Sequence, residues 1–289
     1  SRRQRQMCIR DRYMTVLNPS DEAILLSPSW ASYEPMISII GGVPVNVPVD
    51  RKNFHPDMDA IRSSITDRTR MIMVNSPCNP TGAVYTREEI EEIVSIAIEH
   101  DLWIISDEIY SRLIWNGGEH VSPATIEGGK ERTIVISGWS KTWAMTGMRV
   151  GFLAGPEQAV RAAVKCQANS ASHIPTFMME AARVALDCDD HVERFSDAYR
   201  HRRNLIVQGL EDIPGLRIVN PEGAFYLFID VTGTGMSDVQ FADGALKAGV
   251  QLIPASLITG GEGFIRVSYA ASEEDIKEGI NRLRSWLLE

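Results

Sequence analysis

From residue 13 onward the chain alternates short apolar runs with amphipathic stretches. Six runs, AILLSP (23–28), VPVNVPV (43–49), MIMVNSP (71–77), LWIISDE (102–108), TIVISG (133–138) and VGFLAG (150–155), are rich in Ile, Val and Leu. They are largely apolar rather than alternating, the pattern of strands whose two faces are both covered by helices. Between the third and fourth lies TREEIEEIVSIAIEH (86–100), an amphipathic helical segment. Thr86 is set to cap its N-terminus, and Glu89 three residues on completes a capping box. This rhythm predicts an α/β fold: a mostly parallel sheet flanked by helices, with ligands at the carboxyl ends of its strands.

From about 157 to 212 the pattern turns helical, and the basic segment YRHRRNLIVQGL suggests one long exposed face. The tail, 216–289, carries the strand-like runs AFYLFIDV, GVQLIP and FIRVSYA among helical stretches, a smaller α+β unit. The expected division is a large unit over 13–190 and a small C-terminal unit over 191–289. No repeat or low-complexity linker separates them, so the two are expected to pack closely.

Composition narrows the function classes. Of 289 residues 44% are hydrophobic and 23% charged, ordinary for a globular protein. Lys and Arg number 29 against 38 Asp and Glu, a net −9 that argues against a nucleic-acid surface. Cys8, Cys78, Cys166 and Cys188 stand far apart with no CxxC pair, and the histidines form no HxxxH or HExxH cluster, so neither a disulfide framework nor a metal site is expected. No apolar run approaches the ~18 residues a membrane helix needs, so no membrane partner is expected either. The expected setting is reducing and cytoplasmic. The first dozen residues, SRRQRQMCIRDR, carry five arginines and almost no apolar pattern; 1–12 read as a non-native basic leader and are set aside.

The polar residues at the strand ends carry the chemistry. MIMVNSPCNPTG ends in the turn Asn79-Pro80-Thr81-Gly82, LWIISDEIY leaves Asp107 at a strand end with Tyr110 three residues on, and TIVISGWSK brings Ser137, Ser140 and Lys141 to the same edge. Arg149 follows. Each alone has an ordinary reading: Asp107 as a helix cap, Tyr110 as half-buried packing, the Asn79 turn as a turn, Arg149 as a structural ion pair. The ordered combination is more specific. Pyridoxal phosphate needs a lysine amine for its aldehyde and a carboxylate to keep its ring nitrogen protonated. It also needs donors to its phenolic oxygen, and an arginine and hydroxyls for its phosphate.

With SPSWASYEPM, NSPCNPTGAVYTREE, ISDEIYSRL, SGWSKTWAMTGMRVGF, PEGAFYLF and GFIRVSYA the chain resembles the class I/II aminotransferases, fold-type I pyridoxal phosphate enzymes, nearest the bacterial aspartate/aromatic-type branch. The likeness runs from about Tyr13 to the C-terminus. It implies that Lys141 binds the cofactor's aldehyde, Asp107 pairs with the ring nitrogen, and Asn79 and Tyr110 bond the phenolic oxygen. It further implies that Trp30 stacks on the ring, and that Arg149 with Ser137 or Ser140 grips the phosphate. The same likeness implies that Arg266, otherwise an odd charge in an apolar strand, takes the substrate α-carboxylate together with Asn79.

The implied reaction is ping-pong transamination between an amino acid and a 2-oxo acid, with Lys141 moving the α-proton. The implied assembly is a homodimer when full length. A C–S lyase or decarboxylase would share Lys141, Asp107 and Asn79, but that branch usually replaces Tyr110 by histidine. An inactive binding domain is the reading from another class.

The family pattern also begins upstream of Tyr13, with an arm and a phosphate-cradling loop that this sequence does not show. LIPASLITGGEG lacks the usual Pro-Gly turn, Trp139 is larger than the family's residue there, and His173 stands where asparagine is common. An N-terminally truncated member, binding its cofactor more weakly than an intact one, is therefore the expectation.

Overall fold

The computed structural model describes residues 13–288 apart from 14, 171 and 258–260. The basic leader falls outside the described residues, as does the middle of LIPASLITGGEG. Two sheets organise the rest. The first has six strands, β1 (Glu22–Ser27), β2 (Val43–Pro48), β3 (Thr69–Asn75), β4 (Trp103–Asp107), β5 (Thr133–Gly138) and β6 (Gly151–Ala154), in the order β2-β1-β3-β4-β5-β6. The first five are parallel neighbours and β6 runs antiparallel to β5. The β5–β6 connection contains only a short 3₁₀ turn, Thr146–Met148, and no crossover helix, so the chain can only double back.

Both faces of the central strands β1, β3, β4 and β5 are covered, which is why these do not alternate with polar residues. The edge strands β2 and β6, expected to be covered as well, are largely exposed. Ile24, Val47, Ile72 and Ile104 pack on one side with Ile90, Ile93 and Val94 of α3 (Arg87–Glu99), the helix that follows α1 (Tyr33–Ile39) and α2 (Met58–Ser63). Ala23, Leu25, Met73, Ile105 and Ile134 pack on the other side with Tyr33 and Ile37 of α1. Thr86 caps α3 as its spacing predicts: its side chain accepts from the backbone of Glu89, whose carboxylate accepts from the Thr86 N–H at 2.7 Å.

Helices α4 (Glu157–Ser170), α5 (Thr176–Ala185) and α6 (Asp189–Leu210) lead to the second sheet, β7 (Arg217–Ile218), β8 (Tyr226–Asp230), β9 (Ile253–Pro254) and β10 (Phe264–Ser268), ordered β7-β8-β10-β9 and antiparallel. Helix α7 (Asp238–Lys247) precedes β9, and α8 (Glu273–Leu288) closes the chain. Alternation in β8 and β10 divides their residues cleanly. Leu227, Ile229, Ile265 and Val267 pack with α6 and α8 through Val207, Leu210, Ile276 and Ile280. Phe228 and Phe264 stack at 4.8 Å and meet Phe54 edge-on within the first sheet's core. The predicted strands AFYLFIDV and GVQLIP are shorter in the fold. Ala224 takes a left-handed φ of +60° and donates to the Leu113 carbonyl, so β8 begins only at Tyr226. Pro254, with no N–H to give a ladder, limits β9 to two residues at the sheet edge.

Candidate active site

Parallel pairing sets Asn75 beside Asp107 and Asp107 beside Ile136, so the ends of β3, β4 and β5 meet on one edge. Asp107 is only 6% exposed. A carboxylate there costs free energy unless it is bonded. The Tyr33 hydroxyl donates to its Oδ2 at 2.7 Å, and the Ile109 N–H donates to Oδ1 at 3.3 Å. Burial and then the Asp107 charge push the Tyr33 phenol well above its ordinary value, so it stays protonated and donates. Asn75 braces the same corner: its Nδ2 donates to the Asp107 carbonyl, and its Oδ1 accepts from the Asn79 N–H, both at 2.9 Å. One amide thus fixes the aspartate and the start of the Asn79 turn together.

Lys141 sits half-buried in the turn after β5. Its Nζ lies 5.1 Å from the centre of the Phe225 ring and 6.0 Å from that of Tyr110. The turn is tight: the Ala144 N–H donates to the Lys141 carbonyl, and the Met145 N–H to that of Trp139. Ala144 and Arg149 both take left-handed φ values, +51° and +60°. A non-glycine residue there costs roughly 1–2 kcal/mol and persists where its surroundings over-determine it. Arg149 Nη1 donates to the Thr146 carbonyl, and Thr146 Oγ1 donates to the Ser140 carbonyl, each at 2.6 Å. The Ser137 hydroxyl is turned to the Glu108 carbonyl at 3.2 Å.

Arg266 arrives from the second sheet. It stands opposite Phe228 in the β8–β10 register, on the face that packs toward the first sheet. This explains a charge in an apolar strand. Its Nη1 donates to Asn79 Oδ1 at 3.0 Å, and its guanidinium lies 4.9 Å from the centre of the Tyr226 ring. The Tyr226 hydroxyl is 3.1 Å from that of Tyr110. Trp30 meets Tyr33 edge-on at 5.2 Å. The fold therefore brings Asn79 to Arg266, Lys141 over Tyr110, and Trp30 to the tyrosine on Asp107. Arg149 and Ser140 are joined through Thr146.

Four residues here carry no signal at sequence level strong enough to single them out. Tyr33 lies three residues after Trp30, one helical turn away. Asn75 is simply the last residue of its strand, and Phe225 and Tyr226 sit within PEGAFYLF as unremarked aromatics.

Residues 9–283 match the sequence model of the family described as aminotransferase class I and II. The chain belongs to the class I and II aminotransferases. It is 40% identical over 281 residues to aromatic-amino-acid aminotransferase 2 of Thermococcus litoralis, covering 95% of this chain and 72% of that protein. It is 38% identical over 275 residues to the aspartate/prephenate aminotransferase of Thermus thermophilus, covering 93% and 70%. Among solved structures, the aromatic aminotransferase from Pyrococcus horikoshii superposes with a TM-score of 0.95 at 38% identity, over 98% of this chain and 78% of that one. The Thermus thermophilus aspartate aminotransferase with maleate gives 0.93 at 37%, over 98% and 74%. This aminotransferase is a fold-type I, pyridoxal phosphate-dependent enzyme whose reaction is transamination. The donor set fits that cofactor: an amine, a buried carboxylate with two donors of its own, a phenol, an amide and a guanidinium surround one strand edge.

Proposed function

We propose that this aminotransferase exchanges an amino group between an α-amino acid and a 2-oxo acid in two half-reactions, with aspartate and aromatic amino acids as the donor class. The names of the relatives support that donor class. The observation that carries the substrate reading is the Arg266–Asn79 contact of 3.0 Å between the two sheets. Arg266 offers a planar fork that suits an α-carboxylate, and Asn79 holds that fork from the side.

Bound here, pyridoxal phosphate supplies an electron sink for the charge that develops on the substrate's α-carbon. The chain's residues do the rest. Lys141 would hold the cofactor through its Nζ, and the same amine would serve as the base for the proton on the substrate's α-carbon. Asp107, fixed by Tyr33 and the Ile109 N–H, would keep a proton on the ring nitrogen. Tyr110 and Asn79 would donate to the phenolic oxygen, Trp30 would lie against the ring, and Arg149 with Ser140 or Ser137 would hold the phosphate. In this reading 13–190 form the cofactor-binding unit and 191–289 the smaller unit that brings Arg266.

The same proposal includes a homodimer in a reducing, cytoplasmic setting. Val164, Phe177, Met179 and Leu186, on and just after α4 and α5, are each more than half exposed, a surface that favours association. Cys78, Cys166 and Cys188 are free thiols. Loading the chain with pyridoxal phosphate, reducing it with borohydride and mapping the modified peptide tests the core of the reading. The label is expected on Lys141 and lost in Lys141→Ala; an equal, stable label in the variant overturns it.

A further inference from the structure

Tyr226 touches two groups of the site at once. It opens β8 and pairs with Ser268, which makes it the diagonal neighbour of Arg266 on the same sheet face. Its ring centre lies 4.9 Å from the Arg266 guanidinium carbon, while its hydroxyl is 3.1 Å from the Tyr110 hydroxyl. The side chain is 8% exposed, so both contacts are largely shielded from water. Its backbone is fixed from the N-terminal side: a Cβ on Gly223 would lie 2.7 Å from the Leu113 carbonyl oxygen and 2.8 Å from the Pro77 side chain.

We propose that Tyr226 is a positioning residue with two separable jobs: its ring face holds the Arg266 guanidinium in place for a substrate carboxylate, and its hydroxyl aims Tyr110 at the cofactor's phenolic oxygen. The proposal rests on the roles given above to Arg266 and Tyr110. A guanidinium over an aromatic face is favoured by the ring's quadrupole and loses little by lying flat on it. Asn79 Oδ1 restrains the same guanidinium at its edge. Ring and amide together leave the arginine few orientations, so less is lost when a carboxylate arrives. At the other end, a Tyr226 hydroxyl that donates to Tyr110 Oη commits the Tyr110 proton to the site and strengthens its donation. A tyrosine that only filled space at the junction of the two sheets would do neither.

The test uses the cofactor-loaded full chain with Tyr226→Phe and Tyr226→Leu, and with Arg266→Lys and Tyr110→Phe as references. Two quantities are read: KM for amino acid and oxo acid, and the pH midpoint of the visible cofactor band. Tyr226→Phe keeps the ring, so KM is expected to stay within about twofold, while the midpoint rises by roughly half a unit because the phenolic oxygen loses donation. Tyr226→Leu is expected to show the same midpoint and a KM raised about three- to tenfold. An unmoved midpoint in Tyr226→Phe, or an unmoved KM in Tyr226→Leu, overturns the corresponding job. If Arg266→Lys raises KM and Tyr110→Phe shifts the midpoint while both Tyr226 variants match wild type, only the Tyr226 inference falls. If the two reference variants change neither quantity, the site reading falls and takes this inference with it.

Discussion

Asp107 shows how much of this site is decided by what stands behind it. The carboxylate is buried, and a hydroxyl from α1 and a backbone N–H share its two oxygens. In the role proposed for Asp107, removing the carboxylate removes the charge that would hold the ring nitrogen's proton, an electrostatic contribution of several kcal/mol in a water-poor site. Asp107→Ala is therefore expected to lower kcat by a hundredfold or more with KM changed little, measured in single half-reactions. Tyr33→Phe should act in the same direction but more weakly. It leaves the charge in place and removes one charge-assisted hydrogen bond of about 1.5–3 kcal/mol, part of which water or a rotated carboxylate recovers. A tenfold loss in kcat for Tyr33→Phe supports that ranking; a loss equal to that of Asp107→Ala would mean that Tyr33 does more than hold the aspartate. Asp107 was legible as a strand-end acid. Tyr33 was not, because 74 residues separate the pair and no local pattern links them.

At the scale of elements, α3 and the Pro221–Gly223 turn are tied by a small charged cluster. His55 Nδ1 lies 2.8 Å from Glu89 Oε1, and its Nε2 lies 3.3 Å from Glu222 Oε2. Glu222 Oε2 also accepts from the Val84 N–H at 2.9 Å. The hydrogen bonds to Glu222 and then Glu89 raise His55 from its ordinary 6.5 to about 9, against the opposing effect of burial. Burial works to raise Glu222, yet His55 and the Val84 N–H hold it below its ordinary 4.5. The signs follow by linkage. The histidine contribution is fully present below pH 6.5 and is lost as pH rises through about 9. The Glu222 contribution is present above 4.5 and is lost in acid. Tm is thus expected to fall between pH 6.5 and 9, and His55→Gln should flatten that fall; an equal slope in the variant would place the alkaline loss elsewhere. In the same helix, Thr86→Ala removes the cap that the sequence announced. It should cost about 1 kcal/mol in urea unfolding with KM unchanged.

For the whole molecule the decisive feature is how the second sheet is pinned against the first. The Glu222 and Gly223 N–H groups both donate to the Gly82 carbonyl at 2.9 Å, the Ala224 N–H donates to Leu113, and the Trp115 N–H donates to Glu222. These bonds join the loop carrying Asn79 to the strand carrying Tyr226, so the position of Arg266 over Asn79 depends on them. Gly223→Ala puts a methyl into backbone and proline at 2.7–2.8 Å. Overpacking of this kind costs about 1–3 kcal/mol. Because the strain falls on the joint, Gly223→Ala is expected to lower Tm and to raise KM for both substrates. A variant that loses stability with KM intact would show that Arg266 is located by other contacts.

The residues by themselves determined a good deal. Unbroken apolar runs announced two covered sheet faces, which the central strands have and the edge strands β2 and β6 do not. The Thr86–Glu89 spacing set the start of α3, and the ends of three parallel strands had to share one edge. These follow from local periodicity and from parallel pairing, which each segment carries within itself. The motif run likewise carried the family. What only the tertiary structure decided is which distant groups touch. Arg266 meets Asn79 across 187 residues, and Tyr110 meets Tyr226 across 116. Periodicity says which side of a strand a residue occupies, but not which surface that side will face. That depends on how the second sheet docks, on a left-handed Ala224 and on a glycine with no room for a side chain. None of these has a signature in the residues around it.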